Sequence, residues 1–208
     1  MDILFVMEMI GTVAFAWSGA MIAIRKQLDL LGILILGVTT AVGGGMIRDL
    51  IIGVHPPTLF VKPVYVTVAA VSVLILFIVI RSRHFLMETF EGEFYRFVFN
   101  LMDAIGLGAF TVVGLNTAFD NNIFLRVFLG VLTGVGGGLL RDMMAVETPA
   151  ILRKHIYACA SLIGALFYIL AIDVLYMDEG VTMFLTTILI TVVRVLARHY
   201  KWNLPRAY

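Results

Sequence analysis

The stretch Gly43-Gly44-Gly45-Met46-Ile47-Arg48-Asp49 returns 93 positions later as Gly136-Gly137-Gly138-Leu139-Leu140-Arg141-Asp142. Self-similarity at a fixed spacing marks an internal repeat, and the match extends well outside the motif. The same offset aligns Gly37 with Gly130, Thr40 with Thr133 and Val42 with Val135. An offset of 95 aligns Glu8 with Asp103, Gly11 with Gly106, Ala14-Phe15 with Ala109-Phe110 and Gly19 with Gly114, while 92 aligns Lys62 with Lys154 and Tyr65 with Tyr157.

Both copies sit near the middle of a long apolar run. Such runs occupy about 3–24, 30–52, 60–80, 97–119, 123–146, 155–176 and 180–198 of the 208 residues. The chain is 61% hydrophobic and 14% charged, with a mean hydropathy of +1.02, a membrane composition. A crossing needs roughly 20 apolar residues, so seven helices account for residues 1–208 as one all-α integral membrane domain. Spanning strands would alternate over about ten residues, whereas these runs are apolar on every face. The first run lacks a basic leader and a small-residue cleavage site, which predicts a retained helix rather than a signal peptide. The net charge is only +1 and the basic residues are scattered, so nucleic acid is not an expected partner. The single cysteine, Cys159, excludes an intrachain disulfide.

Lysine and arginine accumulate in short cytoplasmic connections. Arg25, Lys26, Arg81, Arg83, Arg96, Arg153, Lys154, Arg198, Lys201 and Arg206 fall on one side, and only Lys62 and Arg126 on the other. This places the N-terminus outside and the C-terminus in the cytoplasm. Residues 1–80 form a first repeat of three spans, 81–96 an interfacial linker, 97–176 a second repeat, and 180–208 a seventh span with a cytoplasmic tail. An odd number of spans per repeat means that the second copy enters the membrane from the opposite side.

Inverted repeats place an ion or substrate site near the midplane, built from helices that break there. Three glycines weaken a helix by about 1 kcal/mol each relative to alanine, so spans 2 and 5 are expected to be interrupted at Gly43, Gly44, Gly45 and at Gly136, Gly137, Gly138. The alternative use of such residues is close helix packing. A break would expose carbonyl oxygens to a cation, with Thr40 and Thr133 adding hydroxyl oxygens. Intramembrane charges face a wet cavity or a partner. Counting about 1.5 Å per residue predicts the buried pairs Glu8–Arg48 and Asp103–Arg141. Neighbours on a helix point about 100° apart, which leaves Asp49 and Asp142 to act on ions or to cap other helices.

The remaining polar residues suggest less. Asn100, Asn116, Ser18, Ser72 and Ser161 read as hydrogen bonds between helices, and Trp17 and Trp202 as interface anchors or packing. His55, His84, His155 and His199 lie near connections without metal-ligand spacing. No metal site, cofactor or catalytic constellation is expected, and an enzyme is not.

With these residues in view, the chain resembles the prokaryotic branch of the trimeric intracellular cation (TRIC) channel family, also catalogued under a "glycine transporter" description. The resemblance covers nearly the whole chain. It rests on the seven spans, the 3+3 inverted repeat, the paired Gly-Gly-Gly-x-x-Arg-Asp motifs and the Ala14-Phe15-Ala16-x-Ser18-Gly19 stretch. The Lys-Glu-Val signature of animal members is absent from spans 2 and 5. The resemblance implies a homotrimer in the inner membrane, in contact with membrane lipid, each protomer conducting monovalent cations, chiefly potassium, between spans 2 and 5. A transporter of a small zwitterion such as glycine is the competing reading, since broken helices also offer N–H groups to a carboxylate. A structural scaffold explains the packing but not the repeated Arg-Asp pairs.

Overall fold

The computed structural model describes residues 2–82, 92–118, 122–153, 156–200 and 202. The middle of the expected linker, with Arg83, His84, Glu88 and Glu91, lies outside the described residues, as do Lys154, His155, Lys201 and Arg206. The described elements are helices: α1 (Ile3–Arg25), α2 (Leu30–Ile51), a short α3 (Thr58–Val61), α4 (Val64–Ser82), α5 (Glu93–Thr117), α6 (Ile123–Met144), a short α7 (Ala150–Arg153), α8 (Ala158–Ile169) and α9 (Glu179–His199). Six of them, α1, α2, α4, α5, α6 and α9, are long and apolar enough to cross a membrane. The seventh expected span appears as a shorter apolar helix, Ala158–Val174, in which α8 runs into a π-helical turn, Leu170–Val174.

Helix starts follow from local chemistry. The first N–H groups of a helix have no partner within it, and an Asp or Asn side chain ahead of it supplies one. Asp29 accepts from Gly32 N at 2.7 Å and its repeat equivalent Asn122 accepts from Leu125 N at 2.9 Å. The ends of α2 and α6 are matched too. Gly53 and Val146 take positive φ, and the next N–H groups, of Val54 and Glu147, donate to the Asp49 and Asp142 carbonyls, both at 2.9 Å. A left-handed residue after the last turn is a common way to close a helix.

The long helices pack through α1 and α5 at the centre. α1 contacts α2, α4 and α5, α5 contacts α6 and α9, and α2 lies against α6. Outward faces carry large apolar residues such as Leu31, Ile75, Phe97 and Ile188, all exposed, as a lipid-facing surface requires.

The expectation of interrupted spans is corrected here. α2 and α6 are α-helical through both glycine triplets. The glycines serve close approach instead. A Cβ on Gly44 would strike the Thr133 carbonyl oxygen and crowd Gly137 N, and a Cβ on Gly137 would strike the Thr40 carbonyl oxygen and the Phe15 ring. Backbone meets backbone reciprocally, which a helix propensity cost of about 1 kcal/mol per glycine does not outweigh. Around this contact Phe15 and Phe110 lie with ring centroids 5.4 Å apart. The Phe15 ring fills the space a side chain on Gly106 would need, and the Phe110 ring does the same at Gly11.

This distinguishes glycines within one triplet. Gly44→Ala is expected to lower stability by about 1–3 kcal/mol through overpacking. Gly45→Ala, whose nearest neighbour would be an Arg48 nitrogen 3.8 Å away, is expected to be neutral or slightly stabilising. Thermal unfolding of the two variants in detergent checks the order, and equal behaviour would contradict the packing role.

Candidate functional site: two cavities flanking the α2–α6 contact

Two cavities flank the glycine contact. The first, with about 40 Å³ for water-sized molecules, is lined among others by Glu8, Thr12, Gly45, Arg48, Asp49, Thr58, Tyr65 and Phe110. The second, with about 300 Å³, is lined by Arg25, Tyr95, Arg96, Asp103, Arg141, Asp142, Glu147 and Arg198 among others. Repeat equivalents line the two: Arg48 and Asp49 in one, Arg141 and Asp142 in the other.

The equivalence extends to hydrogen bonds. Arg48 Nε donates to Asp49 Oδ1 at 2.9 Å, and Arg141 Nε donates to Asp142 Oδ1 at 2.9 Å. The other carboxylate oxygens accept from the first N–H of the next short helix, Thr58 N at 2.8 Å and Ala150 N at 2.7 Å. Of the two roles expected for Asp49 and Asp142, the geometry shows capping, of α3 and α7, and each is also held by its neighbouring arginine. The expectation that adjacent residues cannot pair fails because the arginine side chain is long enough to fold back along its own helix. Tyr65 donates to Glu8 Oε2 at 2.5 Å and Tyr157 to Asp103 Oδ1 at 3.2 Å.

The two ends differ in what else reaches the carboxylate. Arg141 donates to Asp103 Oδ1 at 2.7 Å and to Ser18 Oγ at 2.9 Å, and Arg194 of α9 donates to Asp103 Oδ2 at 3.3 Å. Arg141 and Arg194 lie over the rings of Phe99 and Tyr157, at 5.0 and 4.2 Å to the centroid, a geometry in which a ring attracts a cation. The structure thus brings Asp103 and Arg141 together. It does not bring Glu8 and Arg48 together: their ion pair is absent among the described residues, and Glu8 is held by Tyr65 alone. The repeats also differ in sequence around these carboxylates. Val113, in the first cavity, stands at the position equivalent to Ser18, and α9 supplies an arginine only to the second.

Thr40 and Thr133 are fully buried, and their hydroxyls donate back to the Leu36 and Leu129 carbonyls, both at 2.6 Å. They face neither cavity. The Gly44–Gly137 contact and Phe15 appear in the lining of neither cavity, while Phe110, which packs on Phe15, lines the first.

The family model described as "Glycine transporter" matches residues 5–81 and 100–173. The UPF0126 inner membrane protein YadS of Escherichia coli K12 is 34% identical over 202 residues, 96% of this chain and 93% of its own length. The solved structure of a protein studied for conductance through TRIC cation channels is 38% identical, with a TM-score of 0.81 over 98% of this chain and 96% of that one. The TRIC trimeric intracellular cation channel orthologue from Rhodobacter sphaeroides is 28% identical, with a TM-score of 0.82 over 97% of this chain and 100% of its own. The chain belongs to the prokaryotic TRIC family.

Two features of this TRIC-family chain were not legible in its sequence. Arg126, buried near the start of α6, pairs with Asp173 at 2.7 Å, and the π-helical turn of α8 carries that aspartate. Glu147 bridges Arg25 at 2.5 Å and Lys26 at 3.2 Å, joining the turn after α6 to the end of α1 across the second cavity. Only the excess of basic residues at this end hinted that a carboxylate there would be paired.

Burial pushes the Glu147 carboxyl up, but the hydrogen bond from Lys26 and the Arg25 guanidinium outweigh it and hold the group below its ordinary value. Stability from this latch is present above the unfolded carboxyl value and is lost as pH falls through the lower, folded one. The difference in melting temperature between wild type and Glu147→Gln should accordingly be visible at neutral pH and close below about pH 4.

The buried network supplies a second expectation. Asp103→Asn leaves Arg141 and Arg194 without their shared carboxylate and should cost about 3 kcal/mol or more. Glu8→Gln keeps an acceptor for Tyr65 and should cost under about 1 kcal/mol. Thermal denaturation in detergent reads both, and equal losses would contradict the asymmetry.

Proposed function

We propose that this protein is a monovalent cation channel, potassium-preferring, with one conduction path in each protomer of a homotrimer. The observation that carries the reading is the pair of cavities flanking the α2–α6 contact, each lined by a repeat-equivalent carboxylate and Arg-Asp pair: Glu8, Arg48 and Asp49 in one, Asp103, Arg141 and Asp142 in the other. Its cation specificity and three-fold assembly rest on the likeness to a TRIC cation channel 38% identical over nearly the whole chain and to a trimeric orthologue.

On this reading residues 1–80 and 97–176 are inverted copies, Ala158–Val174 is the seventh span, the N-terminus faces outward and the C-terminus the cytoplasm of a cell bounded by an inner membrane. Seventeen residues rise about 25 Å at 1.5 Å each, a little short of a hydrocarbon core of about 30 Å, and α8 is packed among α5, α6 and α9. Opening requires α2 and α6 to part at the glycines. That parting leaves Gly43–Gly45 and Gly136–Gly138, with Thr40 and Thr133 one turn away, lining the path on its two sides, and a cation finds carbonyl oxygens there only if the helices also loosen at these glycines. Arg48 and Arg141, neutralised by Asp49, Asp142 and Asp103, border it. Continuous helices through both triplets offer no helix ends to a carboxylate, which weighs against glycine transport at this place.

Planar-bilayer recording of purified protein in a KCl gradient is expected to give unitary currents that reverse near the potassium potential, and mass measurement in mild detergent to give trimers. Electrically silent protein that exchanges labelled glycine would overturn the reading.

A further inference from the structure

The two cavities carry opposite formal charge. In the first, Glu8 and Asp49 stand against the single Arg48, a net of one negative charge. In the second, Asp103, Asp142 and Glu147 stand against Arg25, Arg96, Arg141 and Arg198, a net of one positive charge, and Arg194 lies behind Asp103. The excess is not internally spent. Arg198 Nη1 is buried with no hydrogen-bond partner among the described residues, and its charged neighbours are Arg194, Asp103 and Arg96, two guanidiniums against one carboxylate that Arg141 and Arg194 already share. At the other end Glu8 accepts one bond, from Tyr65, and forms no ion pair among the described residues.

The inverted repeat by itself would make both ends alike, because Glu8 corresponds to Asp103 and Arg48 to Arg141. The inequality comes from residues the repeat does not duplicate. Arg194 and Arg198 belong to α9, which stands outside it, and Arg96 lies at the start of α5. The cavities differ in size as well. At roughly 10–15 Å³ per water, the first, with about 40 Å³, holds only a few waters or one partly hydrated cation. The second, with about 300 Å³, admits a fully hydrated ion.

We propose that this charge polarity makes the conduction path rectify: Glu8 gathers cations at its end, the unspent guanidiniums repel them at the other, and cations pass more readily from the Glu8 end toward the Arg198 end. The proposal rests on the channel reading above. A unit charge about 7 Å away in water changes the local concentration of a monovalent ion by a factor of about three, and low-dielectric walls strengthen the effect. At 0.1 M salt the screening length is about 10 Å, falling to about 3 Å at 1 M, so the polarity acts at low salt and fades at high salt.

The experiment is single-channel recording in symmetric KCl. The protein is sided by streptavidin added to one chamber, against a biotinylated tag appended beyond α9 at the Arg198 end. At 0.1 M KCl, current with cations driven from the Glu8 end should exceed the reverse current about two- to threefold, and the ratio should fall toward one at 1 M. Glu8→Gln, which keeps an acceptor for Tyr65, should lower the ratio by reducing current from its own end. Arg96→Gln, at an exposed position, should lower it by raising current from the opposite end. Linear currents at 0.1 M, a ratio of the opposite sense, or a ratio unmoved by both variants overturns the polarity while leaving the channel reading intact. Protein that folds and assembles but passes no current overturns the channel reading and the polarity with it.

Discussion

The structure depends on one contact, the reciprocal approach of α2 and α6 at Gly44 and Gly137, where each glycine meets a threonine carbonyl of the opposite helix. In a bilayer, lipid tails compete for every apolar side chain, so helices gain from association mainly where backbones come close. Only hydrogen fits on these two Cα atoms. The contact brings Phe15 and Phe110 together over Gly106 and Gly11, and it divides the interior into two cavities.

Charges sit at both flanks of that contact because each triplet is followed by Arg-Asp. A lone guanidinium at membrane depth is costly, and each arginine here is answered by the aspartate beside it. That aspartate in turn caps a short helix through its second oxygen. The second end adds Asp103, Ser18 and Arg194 to this unit, giving it more hydrogen bonds than the first. The first end keeps Glu8 outside the arginine's reach, bound by a tyrosine.

Symmetry and its departures therefore have separate sources. The duplicated segments impose the same capping, the same Arg-Asp unit and the same tyrosine-to-carboxylate bond at both ends. Differences enter through α9, which has no counterpart in the first repeat, and through single positions such as Ser18 opposite Val113. Most of the positive excess around the second cavity comes from these unmatched places.

Helix type and membrane character were legible in the sequence, because long apolar runs leave the backbone few other ways to satisfy its polar groups in lipid. The repeat was legible from its motifs, and with it the residues that would carry charge into the interior; depth counting along helices of known rise also placed Asp103 beside Arg141. What the glycines do was not legible. Flexibility and close packing demand the same residue, and the choice depends on whether a partner backbone stands opposite. Tertiary structure alone decided that Arg48 turns to Asp49 rather than to Glu8, because an arginine's reach exceeds the separation of neighbouring side chains and several acceptors compete for it. It also decided that Arg126 meets Asp173 and that Glu147 latches Arg25, since those pairs join distant segments whose approach is set by how the helices pack.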